Sequence, residues 1–98
     1  MSRSLSTPIA PSTPEVGDVA ALGRAIRAQR LAAGLRIDDA AALCGVSVAV
    51  LSRLENGGTG VSTGRVFKIL DALGLTLLVI DKPKVPQVLA ALGGKVRA

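Results

Sequence analysis

Apolar residues recur at helical spacing in four stretches of this chain, separated by glycine-containing breaks. The first follows Asp18, a good N-cap, and places Val19, Leu22, Ala25 and Ile26 on one face, which predicts a helix that stops near Gly34. The second runs from Ile37 to Cys44, with Asp38 and Asp39 near its positive end, where acidic side chains are favoured. Gly45 closes it, because a left-handed turn costs glycine nothing. Ser47 caps a third helix over about Val48 to Asn56, with Leu51 and Leu54 three apart on its inner face. Asn56-Gly57-Gly58-Thr59-Gly60 reads as a flexible connection. Ser62 then caps a fourth helix carrying Val66, Ile69, Leu70 and Leu73 inward, and Gly74 ends it.

The pattern changes at Leu75. Residues 75–80, LTLLVI, are apolar at nearly every position, so a strand here wants cover on both faces. A lone strand in a helical chain has no internal partner, and pairing with a copy of itself is the economical solution. The alternative is an irregular apolar segment packed on the helices. Pro83 and Pro86 then interrupt the chain, 87–92 suit a short helical turn ended by Gly93-Gly94, and 82–98 read as a flexible tail. At the other end, 1–17 carry three prolines with Ser and Thr and no apolar period, the signature of a disordered arm. The expected organisation is an arm at 1–17, a helical domain with a terminal strand at 18–81, and a tail at 82–98.

The spacing of helices two and three points to chemistry. Ala41 stands where two crossing helices approach closely, Gly45 turns the chain four residues later, and Leu51 and Leu54 lay the next helix against the first. Helix, tight turn and helix in this order form a DNA reader, whose second helix enters the major groove while the first crosses the backbone. By position, Ser47, Val48, Ala49 and Ser52 face base edges. Ser52 can hydrogen-bond there and Val48 and Ala49 can touch thymine methyls, but none makes the bidentate contact worth roughly 1 to 3 kcal/mol. Readout per half-site is therefore weak, and specificity leans on two half-sites and on DNA shape. Arg36, Arg53 and the backbone amides around Gly57, Gly58 and Thr59 are candidates for phosphate. Arg65 and Lys68, three apart on the fourth helix, read first as a solvated face.

Composition sharpens this. A chain of 98 residues, 49% hydrophobic with one phenylalanine and no Trp or Tyr, must build a small aliphatic core, which is marginal without dimerisation. A net charge of +5 and a pI near 10.4 favour a polyanionic partner. The single cysteine, Cys44, cannot form an internal disulfide and reads as a small buried residue in a reducing cytoplasm. No secretion signal or membrane span is expected. An enzyme is disfavoured: there is no histidine, no clustered carboxylates, and no lysine in the glycine loop to hold a nucleotide phosphate. No cofactor or metal is expected.

The segments Leu22-Gly23-Arg24-Ala25-Ile26-Arg27, Arg30, Gly34-Leu35 and Leu51-Ser52-Arg53-Leu54-Glu55-Asn56-Gly57 resemble, in order and spacing, the helix-turn-helix domain of the Xre family, to which the lambdoid phage repressors belong. The likeness covers residues 22–74. Leu73-Gly74-Leu75 leading into Thr76-Leu77-Leu78-Val79-Ile80-Asp81 further resembles the HipB-like antitoxins, whose fourth helix is followed by a strand that pairs across a dimer. The resemblance implies a mainly α, lambda-repressor-like four-helix domain with a C-terminal β-strand, and an ion pair in which Arg30 joins helix one to Glu55 of helix three. Two solvated surface charges are the alternative there. Relatives grip a phosphate through a glutamine at the start of helix two, where this chain has Ile37. The implied function is a dimeric repressor of its own operon that binds a palindromic duplex DNA and a HipA-like kinase toxin. A stand-alone Xre-family regulator and a pure adaptor are the competing readings.

Overall fold

The computed structural model describes residues 14–97, with side chains described through residue 93. The expected arm falls mostly outside them; residues 14–17 are exposed and carry no helix or strand. Five α-helices follow: α1 (Val19–Ala32), α2 (Ile37–Cys44), α3 (Val48–Glu55), α4 (Thr63–Ala72) and α5 (Val85–Arg97), the last preceded by a 3₁₀ turn over Lys82–Lys84.

Side-chain caps set the starts of three of the first four. The Asp18 carboxylate accepts from the Ala21 amide at 2.8 Å, and the Ser47 and Ser62 hydroxyls accept from Val50 and Arg65 at 3.1 and 3.3 Å. Each occupies one of the orphan donors of a first turn. Arg36 precedes α2 with no side-chain cap. At the end of α2, Gly45 takes φ +72° and its amide returns to Ala42.

Ile26, Leu51, Leu54 and Ile69 are fully buried, joined by Ala40, Ala41, Cys44, Leu70 and Leu73. The core lies where α1 packs on α3 and α2 packs on both α3 and α4. The pair Ala40 and Ala41 lets the helices cross closely, since either position would otherwise bring bulk to a contact already filled. The Gln29 side-chain amide donates to the Leu73 carbonyl at 2.9 Å, tying α1 to the end of α4.

Two features depart from the sequence reading. Residues 75–80 carry neither helix nor strand in the single chain: Leu75 packs on the core, whereas Leu77, Leu78 and Val79 are 47%, 70% and 92% exposed. Sheet hydrogen bonds need a second strand, and among the described residues none lies within the chain. The tail is helical for longer than a short turn at 87–92, because α5 runs on through Gly93-Gly94. Pro83 and Pro86 lie at the starts of helical segments, where a missing amide removes no intrahelical bond.

Candidate nucleic-acid interface

The inner face of α3 is occupied by Leu51, Leu54 and Glu55, all buried. Helical geometry turns Ala49 and Arg53 to the opposite side and Ser52 to the flank, while Val48 shares the side of Leu51 and Glu55 but stands at the first, open turn of the helix. Val48, Ala49 and Arg53 are exposed and Ser52 is half-buried. The Ser47 hydroxyl is engaged as the cap of α3, so its remaining lone pair and its proton are what it can offer a base edge. This surface is small, with two apolar side chains, Val48 and Ala49, beside Ser47, Ser52 and Arg53.

The buried pair Arg30 and Glu55 anchors α3 from behind. Arg30 Nε and Nη2 donate to the two carboxylate oxygens of Glu55 at 2.7 and 2.8 Å, and Nη1 donates to the Leu35 carbonyl at 3.0 Å. Both side chains are nearly inaccessible. Donating to the Glu55 carboxylate holds the guanidinium above the usual arginine range, against the opposing effect of burial. A raised value means the cation's contribution is complete below the unfolded arginine pKa and is lost only above it, so no working pH removes it. One guanidinium thus joins α1, the α1–α2 connection and α3.

The phosphate candidates are placed unequally. Arg36 is largely exposed and pairs with Asp38 at 3.3 Å, a contact that a phosphate can displace at little cost. Arg53 is exposed, with no carboxylate partner among the described residues. The amides of Gly57 and Gly58 donate to Leu54 and Arg53 carbonyls at 3.0 and 2.8 Å, closing the C-terminus of α3 and leaving those two donors committed. Among the described residues the Thr59 amide makes no such bond. The Asn56 side-chain amide adds to the closure through the Ser52 carbonyl at 2.8 Å.

Lys68 has a local role. Its ammonium donates to the Gly45 carbonyl at 3.3 Å, placing a cation at the negative end of α2, where it is favoured. Arg65 is exposed on the first turn of α4.

Sequence reasoning assigned no role to Gly23. A Cβ added there would overlap the Leu54 carbonyl oxygen and stand 2.9 Å from that of Glu55, so glycine is what lets α1 lie against the end of α3. An isolated glycine inside a strong helical pattern is the signal that could have found it.

Cys44 is buried at the α2 terminus, and burial, with the nearby Glu55 charge, pushes its thiol up. The folded state therefore favours the protonated thiol, a contribution complete below the ordinary thiol pKa and lost as pH rises through the higher folded value. Modification of Cys44 by a thiol-reactive dye at neutral pH is expected to be on the order of 100-fold slower than in the urea-unfolded chain, because attack waits on an opening of about 3 kcal/mol. Equal rates in the two states would contradict this burial.

No helix among the described residues is long and apolar enough to cross a membrane. The family model described as helix-turn-helix matches residues 26–80. No curated protein matches the chain significantly. Among solved structures, a chain of a HipA-HipB-O2-O3 complex is similar over 69% of this chain and 96% of its own, at 25% identity and a TM-score of 0.64. A HipB-O4 20mer complex is similar over the same shares, at 25% identity and a TM-score of 0.63. With more than half of its residues inside the family match, and a HipB-like arrangement of helices around α3, the chain belongs to the helix-turn-helix family of DNA-binding proteins, in its Xre branch.

Proposed function

We propose that this protein is a dimeric repressor that reads a palindromic operator with α3, controls its own operon, and serves as the antitoxin of a HipA-like kinase. The observation that carries the reading is the accessible side of α3, where Val48, Ala49 and Arg53 are exposed and Ser52 is half-buried, while α3 is held from behind by the Arg30–Glu55 pair. Similarity to chains in HipB complexes with O4 and with HipA, O2 and O3 supports it.

The dimer strand is assigned to Leu75, Thr76, Leu77, Leu78, Val79 and Ile80. Contiguous exposed apolar side chains at 77–80 are unfavourable in water, and pairing with a second copy removes them while satisfying the backbone on one edge. Two copies then present two α3 helices to successive major grooves about 34 Å apart. Sedimentation of the intact chain and of a variant lacking 77–80 tests this directly: a dimer that survives the deletion would remove the strand from the interface.

Binding chemistry separates the roles on α3. Arg53→Ala is expected to weaken binding to all duplexes alike, and Ser52→Ala to alter the preference among them. Anisotropy titrations against several duplexes at fixed salt decide; uniform losses for both variants would overturn the base-edge role of Ser52. For the antitoxin reading, the tagged protein is recovered from its native cells after nuclease treatment. A stoichiometric kinase-like partner is expected, and recovery of the protein alone would favour an autonomous regulator.

A further inference from the structure

The path of the Arg53 side chain is defined by the loop beneath it. A Cβ built on Gly58 would lie 2.5 Å from Arg53 Cγ, 3.0 Å from the Arg53 carbonyl oxygen and 3.4 Å from Cδ, and one built on Gly60 would lie 3.9 Å from Nη1. The stem therefore runs across the loop from Gly58 toward Gly60, and the guanidinium comes to rest over it. Gly60 is required by its φ of +89°. Gly58 is not among the glycines with positive φ, so its backbone conformation does not call for glycine. What its missing side chain provides is room for the Arg53 carbonyl that accepts its amide and, at the shortest distance, the channel in which the arginine stem lies.

We propose that Gly58 is a positioning residue for Arg53, holding the guanidinium beside the uncommitted Thr59 amide so that the two form one seat for a single DNA phosphate. This rests on the DNA-binding reading above. An arginine on an exposed helix ordinarily samples many rotamers, and ordering it on binding costs side-chain entropy. Lying along the glycine channel, Arg53 has already lost much of that freedom. Its charge also stands at the end of α3, where the amides of Gly57 and Gly58 are committed to the Leu54 and Arg53 carbonyls and, among the described residues, the Thr59 amide is not committed. A methyl group at 58 fills the channel and lifts the stem off the loop, separating the cation from the amide.

The test is a double-mutant cycle on the full chain, with a fluorescein-labelled DNA duplex of mixed sequence long enough for two half-sites, titrated over a range of salt. Arg53→Ala is expected to weaken binding about tenfold and to make the log–log salt dependence shallower by about 0.9 for each phosphate left without its cation. Gly58→Ala is expected to reproduce most of both changes, and to have no further effect in the Arg53→Ala background. Effects that multiply, or an unchanged salt slope in Gly58→Ala, would overturn the proposal. Because Gly58→Ala could also loosen the end of α3, ¹³C relaxation at Arg53 Cγ and Cδ in the unsubstituted protein is measured alongside; a stem as mobile as those of exposed Arg24 and Arg27 would overturn it equally. Absence of any salt-dependent binding by the unsubstituted protein would instead count against the DNA-binding reading itself, while ordered Arg53 carbons would still report the channel.

Discussion

Glu55→Ala is expected to remove most of the stability of the domain and leave it at the edge of unfolding at room temperature. The carboxylate takes two short hydrogen bonds from Arg30 in a place where both side chains are nearly inaccessible to water. Removing it strands a guanidinium whose charge cannot be neutralised at any working pH, and such a loss costs about 3–5 kcal/mol. A domain of this size sits toward the lower end of the usual 5–15 kcal/mol of total stability, so that loss is decisive. Arg30→Ala should be comparably damaging, since it also releases the Leu35 carbonyl. An apolar pair such as Arg30→Met with Glu55→Leu should recover much of the loss, because no charge is then left uncompensated. Thermal denaturation followed by circular dichroism measures all three. A Glu55→Ala midpoint within a few degrees of the unsubstituted protein would show that water reaches the pair and screens it.

Gly23→Ala is expected to be the next most damaging change, although alanine is intrinsically the better helix former by about 1 kcal/mol. The added methyl would collide with the Leu54 carbonyl oxygen and crowd that of Glu55. These are backbone atoms and cannot rotate aside. The Leu54 carbonyl also accepts the Gly57 amide that closes α3, so displacing it loosens the cap. Overpacking of this kind costs about 1–3 kcal/mol and more where backbone must move. We expect a net loss of about 2 kcal/mol, or a fall of roughly 8–16 °C in the melting midpoint. Gly64→Ala provides the control, because nothing stands within 4 Å of a Cβ there; equal midpoints for the two variants would remove the close approach as the cause.

Much of the architecture is legible without the fold. Helices α1 to α4 begin and end within a residue or two of where capping residues and glycines place them, because each start and stop is a local hydrogen-bonding event. Ser47 and Gly45 bracket the turn for that reason. The inward positions Leu51, Leu54, Ile69 and Leu70 follow from a period of 3.6 and nothing further. α5 outruns the sequence expectation, since Gly93-Gly94 reads as a stop while each glycine weakens a helix by only about 1 kcal/mol.

The candidate site is less legible. Arg30 and Glu55 stand 25 residues apart, and only a resemblance to a known family brings them together. The donors of Gly57 and Gly58 look available in a glycine loop and are spent on the end of α3, a distinction that depends on how the loop folds back.

The sequence by itself therefore determined the four helices of the domain, their buried faces and the turn between α2 and α3, all set by bonds and periodicities a few residues long. The tertiary structure decided the depth of the Arg30–Glu55 pair, the need for glycine at 23, the lysine at the end of α2 and the course of Arg53 across its loop. Each of these depends on the distance between segments far apart in the chain, which is set only when whole helices pack and no short-range pattern records it.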